Sequence, residues 1–293
     1  CRPSTESMEV PDDTYGDGAN AITAVRMLEK LSKAEAPFFL SVGFSKPHLP
    51  FVAPKKYWDL YSKEDIALAA FQNRAKNSPD IAYKGNSLGE ISSYSDIPEH
   101  GPLSTEKQKE LIHGYMAATS YMDAQVGVLL DKLEALGLKD NTVVILWGDH
   151  GFHLGDHGLW TKHTNFEQAV RSPLIISSPQ GFSANKNNTP TEFVDIFPTL
   201  CELTNLEIPA HLPGKSLVPL MEDPNTSLRF AALSQYPRGG RRMGYTLRSE
   251  RFRYVKWLQM NYKTGERTGR LIAAELYDYE NDPLETVNQF SNP

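Results

Sequence analysis

Four side chains that could bind a cation and an anion lie in two loops, each after a run of apolar residues. Asp149 and His150 follow the apolar residues 143–147, and Lys162 lies twelve positions after His150. A carboxylate next to a neutral imidazole suits a divalent cation, and a lysine can bind an anionic substrate. His48 lies in the other loop between two prolines, whose fixed backbone angles orient the local chain. The spacing predicts metal-assisted chemistry on an anionic group.

Strands are needed to position these two loops. Residues 37–44 and residues 142–148 are short apolar runs that favour buried strands. Between them, Ser104 is a plausible N-cap for a long amphipathic helix that Gly137 closes. The order strand, helix, strand is typical of a mainly parallel α/β sheet, in which ligand-binding loops gather at the carboxyl ends of the strands. We therefore expect the two loops to converge on one crevice.

The remaining sequence predicts further helices and a strand, followed by a small C-terminal subdomain. Asp17 is a plausible N-cap for a helix that runs to about residue 32, residues 173–178 favour another strand, and residues 191–203 favour a helix that Pro198 would kink. From residue 231 onwards apolar and polar residues alternate, which indicates an antiparallel sheet with one wet face. The predicted organisation is an α/β domain over residues 1–230 and a small antiparallel subdomain over residues 231–293.

Length and composition fit a globular enzyme and argue against several other classes of protein. The chain has 293 residues, of which 40% are hydrophobic, and its net charge is −6 with both signs spread along the sequence. That distribution gives no support for binding nucleic acid by neutralising phosphates. No apolar run approaches the roughly 20 residues needed to span a bilayer. We therefore expect neither a nucleic-acid partner nor a membrane partner, and two cysteines are too few for a disulfide framework.

Several segments together resemble the type I sulfatases of the alkaline-phosphatase-like superfamily, over nearly the whole chain. The segments are residues 38–51, 149–151, 159–162, 164–166, 234–238, 243–245 and 275–278. The Lys-Pro-His-Leu-Pro-Phe and Ser-Gln-Tyr-Pro-Arg stretches resemble, more narrowly, the iduronate-2-sulfatase branch of that family. The resemblance implies an α/β fold with a mainly parallel sheet flanked by helices, and a small C-terminal antiparallel β subdomain.

The resemblance also implies roles for the four side chains. Sulfatases hydrolyse sulfate esters with one Ca²⁺ per site and a formylglycine made from a cysteine. Asp149 and His150 match two of the metal ligands, and Lys162 matches the lysine that binds a sulfate oxygen. His48 matches the histidine that contacts sulfate and the leaving oxygen, where it can act as a general acid.

Further residues are candidates for binding substrate, although a structural or solvated role is an alternative for each of them. Those that could line the cleft are Lys46, His153, His157 and His163. Those that could bind the carboxylate of a uronate are Arg238, Arg241, Arg242 and Arg248, because a guanidinium pairs well with a carboxylate. The implied substrate is a 2-O-sulfated uronate in a sulfated polysaccharide or oligosaccharide.

The sequence departs from the family at its start. Cys1-Arg2-Pro3-Ser4 copies the first positions of the formylglycine motif, but Thr5 stands where the motif has arginine. We therefore expect that Cys1 is not the formylglycine precursor, and that the formylglycine and the remaining calcium ligands belong to an N-terminal half outside this sequence. That half is the expected protein partner, and this chain alone is expected to be inactive. The resemblance implies a secreted, periplasmic or lysosomal location.

Two other functions remain open at this point. The chain could be a phosphodiesterase or phosphonate hydrolase of the same superfamily, since Asp-His-Gly also serves metal sites there. Lys162 favours sulfate and a single metal, because a lysine can take the charge role of a second metal. The other alternative is a non-catalytic remnant that only binds anionic glycans.

Overall fold

The chain folds into two compact units. A computed structural model describes residues 2–83, 85, 88–261 and 263–291; Cys1, the subject of one prediction, lies outside the described residues. The first unit comprises Cys1–Ala70 and Leu88–Thr142, and the second comprises Phe71–Ser87 and Val143–Pro293. The predicted domain boundary after residue 230 therefore falls inside the second unit.

The first unit contains a parallel strand pair and a long helix. Its elements are β1 (Thr5–Met8), α1 (Gly16–Leu31), β2 (Phe51–Pro54), α2 (Lys55–Trp58) and α3 (Thr105–Ala135). β1 pairs with β2 in parallel. The predicted ends of α3 are confirmed: the Ser104 side chain accepts a hydrogen bond from the Lys107 amide, and Gly137 adopts a φ of +67° just beyond the last turn.

Close packing of α3 against β2 supports the loop that carries His48. A Cβ at Gly114 in α3 would lie only 2.9 Å from the Cβ of Phe51 in β2, so only glycine permits this approach. The Tyr121 hydroxyl donates to the Asp12 carbonyl at 2.8 Å and accepts from the Gly18 amide at 2.6 Å. These contacts join α1 and α3, and they fix the N-terminal end of β2 immediately after the His48 loop.

The predicted strand over residues 37–44 is wrong, because the structure assigns no strand to these residues. The side chain of Phe39 is 80% exposed. An extended apolar run becomes a strand only when a neighbouring strand satisfies its backbone hydrogen-bonding groups. The described part of the chain supplies no such neighbour for residues 37–44.

The second unit begins with a short strand pair. Its elements before the C-terminal sheet are β3 (Val144–Trp147), α4 (Glu167–Val170), β4 (Leu174–Ser177), α5 (Ile196–Leu203) and α6 (Val218–Glu222). The strands predicted over residues 142–148 and 173–178 are confirmed as β3 and β4, which pair with each other in antiparallel order. The helix predicted over residues 191–203 is confirmed in α5, where Pro198 lies in the first turn, a position that tolerates proline.

The C-terminal residues form the predicted antiparallel sheet. Its strands follow one another in the order β5 (Ala232–Arg238), β6 (Arg242–Arg248), β7 (Phe252–Asn261) and β8 (Glu266–Asp278). One face packs on residues from other parts of the unit, in a cluster of Ala75, Ala82, Tyr83, Leu159, Phe166, Val255, Trp257 and Tyr277. The segment that follows His150 is thereby anchored on this sheet. No helix within the described ranges has the length and apolarity needed to cross a membrane.

Candidate active site

The loop after β3 is bound tightly to the segment that precedes β4. The Gly148 amide donates to the Pro173 carbonyl at 3.1 Å, and the Ser172 hydroxyl donates to the Gly148 carbonyl at 2.9 Å. The Gly151 amide donates to the Ala169 carbonyl at 2.9 Å. A Cβ at Gly151 would overlap the backbone oxygen of Gln168, so this close approach requires glycine. The backbone on both sides of Asp149 and His150 is therefore fixed.

Asp149 and His150 present one oxygen and one nitrogen to the same region. The Asp149 side chain is 86% exposed, and its Oδ2 lies 3.5 Å from the Nε2 of His150. The Nδ1 of His150 lies 2.7 Å from the Gly151 carbonyl oxygen, which can only accept a hydrogen bond. Nδ1 must therefore carry the proton, and Nε2 keeps its lone pair in the neutral ring. This is the tautomer and the outer-shell hydrogen bond that a metal-binding histidine uses.

The geometry fits two neighbouring ligands of one cation. Two atoms that are 3.5 Å apart and each about 2.4 Å from an ion subtend an angle of about 90° at that ion. Calcium takes about six to eight oxygen ligands. Within the described residues there is no cluster of three or more His, Cys, Asp or Glu side chains that could hold a metal. Asp149 and His150 fit part of a coordination shell and do not complete it.

A short turn brings Lys162 back beside the segment that follows His150. The His153 amide donates to the Thr161 carbonyl at 2.9 Å, and the Gly155 amide donates to the Leu159 carbonyl at 3.0 Å. Positive φ angles at Gly155 and Gly158 allow the chain to reverse. Lys162, which is half-buried, directly follows the paired residue Thr161.

His153 and His157 do not line an open cleft, and this prediction is corrected. Both side chains are buried, and the Nε2 of His153 lies 2.8 Å from the Thr164 hydroxyl. The ring of His157 stacks on Phe166 with 4.3 Å between centroids. Burial lowers the pKa of His153 to about 3 and that of His157 to about 4. Both are neutral core residues that support the turn between His150 and Lys162.

Arg238 and Arg248 are also occupied by structural contacts instead of being available to a substrate carboxylate. Arg238 donates to the carbonyl oxygens of Ile81 and Ala82, each at 3.0 Å. Arg248 forms an ion pair with Glu167 at 3.0 Å, and its guanidinium lies 3.8 Å from the ring centroid of Tyr279. Their local sequence could not reveal these partners, because every one of them except Tyr279 lies more than 80 positions away.

Three further candidates have different surroundings. His163 stacks on Tyr236 with 5.7 Å between ring centroids. Arg241 and Arg242 are exposed where β5 turns into β6. The sequence gave the same prediction for all four arginines. In the structure two of them have protein partners and two are exposed.

The His48 loop belongs to the first unit and is held by an aspartate that sequence reasoning had placed in a different role. Asp17 does not cap α1, since Tyr15 is the N-cap residue. The buried Asp17 carboxylate instead accepts hydrogen bonds from the Ser45 amide, the Ser45 hydroxyl and the Lys46 amide, each at 2.8 Å. A carboxylate that binds consecutive amides fixes the start of the loop.

The Lys46 ammonium binds two backbone carbonyls of this loop. Its ammonium donates to the His48 carbonyl at 2.9 Å and to the Pro50 carbonyl at 2.8 Å. Burial lowers the pKa of Lys46, and Asp17 partly opposes that shift. These two hydrogen bonds give Lys46 a role in shaping the loop, and its substrate contact stays a prediction. The peptide bonds before Pro47 and Pro50 are both cis.

His48 is presented at the surface of this loop. Its Nδ1 lies 2.8 Å from the Leu49 carbonyl oxygen, so Nδ1 carries a proton. Its Nε2 lies 3.6 Å from a carboxylate oxygen of Glu90. Glu90 was missed in the sequence because it lies 42 positions after His48, beyond a long, mostly irregular stretch.

Comparison with known proteins identifies the family. The Sulfatase family model matches residues 4–206, and the model of the N-sulphoglucosamine sulphohydrolase C-terminal region matches residues 155–293. The chain is 31% identical to human iduronate 2-sulfatase, over 97% of this chain and 64% of that protein. It is 29% identical to the choline-sulfatase of Rhizobium meliloti, over 99% of this chain and 53% of that protein. The chain thus spans between half and two thirds of the length of these relatives.

Solved structures show the same fold. The structure of BT4656 in complex with its substrate D-glucosamine-2-N,6-O-disulfate superposes with a TM-score of 0.76 at 20% identity, covering 95% of this chain and 66% of that one. A phosphonate monoester hydrolase of Agrobacterium radiobacter superposes with a TM-score of 0.74 at 25% identity, covering 97% of this chain and 58% of that one. The predicted alkaline-phosphatase-like α/β fold is confirmed, and the chain belongs to the sulfatase family.

Proposed function

We propose that this chain supplies part of the active site of an enzyme that hydrolyses sulfate esters, with Asp149 and His150 as two calcium ligands. The observation that carries the proposal is the exposed Asp149 carboxylate beside a histidine nitrogen whose lone pair is set by the Gly151 hydrogen bond. This pair lies at the end of β3 in a chain that belongs to the sulfatase family.

Lys162 and His48 have proposed roles that their surroundings permit. Asp149 and His150 would hold a calcium ion that polarises a sulfate oxygen, and a formylglycine from the N-terminal half would supply the nucleophile. Lys162 binds a sulfate oxygen as a positive point charge. His48, with Nδ1 committed to the Leu49 carbonyl, donates a proton from Nε2 to the leaving sugar oxygen when its ring is protonated.

The proposed substrate is a 2-O-sulfated uronate in a sulfated glycan. Support comes from the 31% identity to human iduronate 2-sulfatase and from the fold shared with a protein solved with a sulfated glucosamine. The proposed protein partner is the N-terminal half of the same sulfatase, because no group of three or more candidate metal ligands occurs among the described residues. The secreted, periplasmic or lysosomal location stays a prediction.

The test compares this chain alone with the chain combined with a sulfatase N-terminal half that carries formylglycine. We expect no turnover by the chain alone, and turnover of a disaccharide with a terminal 2-O-sulfated uronate by the combination. Faster hydrolysis of a phosphonate monoester than of the sulfate ester, with two transition metals bound, would identify a phosphonate hydrolase instead. Glycan binding without any turnover by the combination would identify a non-catalytic remnant.

The metal ligands are tested separately in the combined protein by calorimetric titration with calcium. Asp149→Asn and His150→Ala should each weaken calcium binding by more than about tenfold, a loss that even an outer-shell partner can cause. Glu202→Gln and His211→Ala make the same chemical changes at exposed positions, and should leave the affinity unchanged. Unaltered calcium affinity in both site variants would refute the assignment.

A further inference from the structure

An open cavity of about 620 Å³ lies at one end of the four-stranded sheet. Three arginines line it, Arg241, Arg242 and Arg270, together with Gln259 and the apolar Leu271 and Ile272. None of its lining residues belongs to the segment between Asp149 and His163. Its volume falls within the range of about 300–1,000 Å³ that is typical of small-molecule sites.

Two irregularities of the sheet lie next to the three arginines. The chain turns between β5 and β6 at Gly239, which has a φ of +58°, and the Arg241 carbonyl accepts a hydrogen bond from the Met260 amide at 2.8 Å. The pairing of β7 with β8 shifts register on both sides of Leu258. Such a bulge redirects the side chains next to it, and Arg270 lies within the shifted part of β8.

Within the part of the chain that the structure describes, no carboxylate pairs with the charges in this cavity. The lining contains three guanidinium groups and no carboxylate. Among the described residues, none of the three forms an ion pair, whereas Arg248, Arg251 and Arg253 of the same sheet each have a carboxylate partner. Holding three like charges together without a counter-charge costs electrostatic free energy, so such a cluster indicates an anionic ligand.

The apolar part of the lining narrows the class of ligand. Leu271 and Ile272 are 47% and 41% exposed beside the arginines. A sugar ring has apolar C–H faces and, in a sulfated glycan, sulfate and carboxylate groups at its rim, which matches this lining. The described lining contains no aromatic side chain on which a base could stack, which disfavours a nucleic acid.

We propose that this cavity binds an anionic segment of a sulfated glycan through sulfate or carboxylate groups, at residues that take no part in the reaction. The choice of ligand class rests on the proposed function, but binding here does not require turnover. The site would hold a sugar other than the one whose sulfate is hydrolysed, so it would favour long substrates over short ones.

The test measures calorimetrically how the chain binds a highly sulfated heparin hexasaccharide, a desulfated hexasaccharide of the same length, and single-stranded DNA of matched charge. The variant Arg241→Gln/Arg242→Gln/Arg270→Gln should bind the sulfated hexasaccharide at least tenfold more weakly than the unmodified chain. The control Arg26→Gln/Lys33→Gln/Lys186→Gln removes three exposed charges elsewhere, and should bind as tightly as the unmodified chain. Thermal unfolding verifies that both variants are folded, and Arg270→Gln alone serves as a milder variant.

The possible outcomes separate the two proposals. Equal loss in the two triple variants, no loss in either, or tighter binding of DNA than of both hexasaccharides would overturn the glycan site. Equal binding of the sulfated and desulfated hexasaccharides would support the site and assign carboxylate as the recognised anion. In the combined protein, Arg270→Gln should hydrolyse a small sulfate monoester at the unmodified rate while losing rate on the hexasaccharide. Glycan binding without sulfate hydrolysis would leave the cavity in place and refute the proposed function.

Discussion

The two antiparallel sheets of the second unit differ in how completely they bury their apolar side chains. In the four-stranded sheet Trp257 is 0% exposed, whereas in the two-stranded sheet Trp147 is 46% exposed. Each strand of the larger sheet pairs with the next one along the chain, so local hairpins complete it. An isolated pair of short strands is marginal by itself. β3 and β4 therefore have the character of strands that belong to a larger sheet.

The same two regions also differ in how far their charged side chains are buried. Beneath the larger sheet, Arg253 is fully buried among carboxylates, with Glu285 at 2.6 Å. At the end of β3 the Asp149 carboxylate is almost fully exposed beside an imidazole. Charged side chains that pair with each other in the interior stabilise the fold. An exposed carboxylate at the end of a strand is available to a ligand. The comparison thus separates charges that are paired inside the fold from a charge that is open to a ligand.

The largest expected effect tests the contrast between the two tryptophans. Trp257→Ala should lower the free energy of unfolding by about 3–5 kcal/mol, because it leaves a cavity and removes one of the hydrogen bonds to the buried Glu275. Trp147→Ala should cost less than about 2 kcal/mol, because much of that side chain is already in water. Urea unfolding measures both. Equal losses would show that β3 is as well packed as β7, which contradicts the comparison.

The second prediction tests buried against exposed charge in the same strand region. Arg253→Met should cost about 3–5 kcal/mol of stability, because Glu285 and Glu167 would lose their buried counter-charge. Arg251→Met breaks an ion pair with Asp278 that is open to solvent, and should change stability far less. Urea unfolding in low and high salt should show that only the smaller effect depends on salt. A large loss for Arg251→Met would contradict this division.

Sequence signals were sufficient wherever the determinants of structure are local. The Ser104 cap and Gly137 fixed the ends of α3, and alternating residues after position 231 predicted the antiparallel sheet. The apolar run over residues 37–44 failed as a strand, because strand formation depends on a partner that the run itself cannot specify. The same limit applies to the site. Asp149 and His150 were proposed as ligands from adjacent residues, whereas the distant partners of Arg238 and Arg248 could be found only from the fold.

The third prediction concerns the buried histidines under the site loop. The native pKa values of His153 and His157 are about 3 and about 4, below the unfolded value of about 6.5. As the pH falls below 6.5, the unfolded chain gains protons that the folded chain does not, so stability decreases. Between pH 6.5 and pH 5 the loss should be about 2 kcal/mol for each histidine.

Urea unfolding between pH 7.5 and pH 4.5 measures this loss. The double variant His153→Asn/His157→Asn should have a shallower fall in stability with decreasing pH than the unmodified chain. His211→Asn removes an exposed histidine, and should retain the original slope. Identical slopes in all three proteins would show that the two histidines are not held neutral by burial.

The smallest effect tests whether the loop after β3 is as rigid as its contacts indicate. Gly151→Ala should cost about 1–3 kcal/mol, because its Cβ would overlap the Gln168 carbonyl oxygen and lie 2.8 Å from that of Arg171. Gly127→Ala in α3 has open space around the new methyl group, and should stabilise the chain by about 0.5–1 kcal/mol through its helix propensity. A displaced Gly151 carbonyl would no longer accept the hydrogen bond from Nδ1 of His150. Gly151→Ala should therefore also weaken calcium binding in the combined protein, whereas Gly127→Ala should not. Calcium affinity that survives Gly151→Ala despite lost stability would show that the histidine is oriented by the metal and not by the loop.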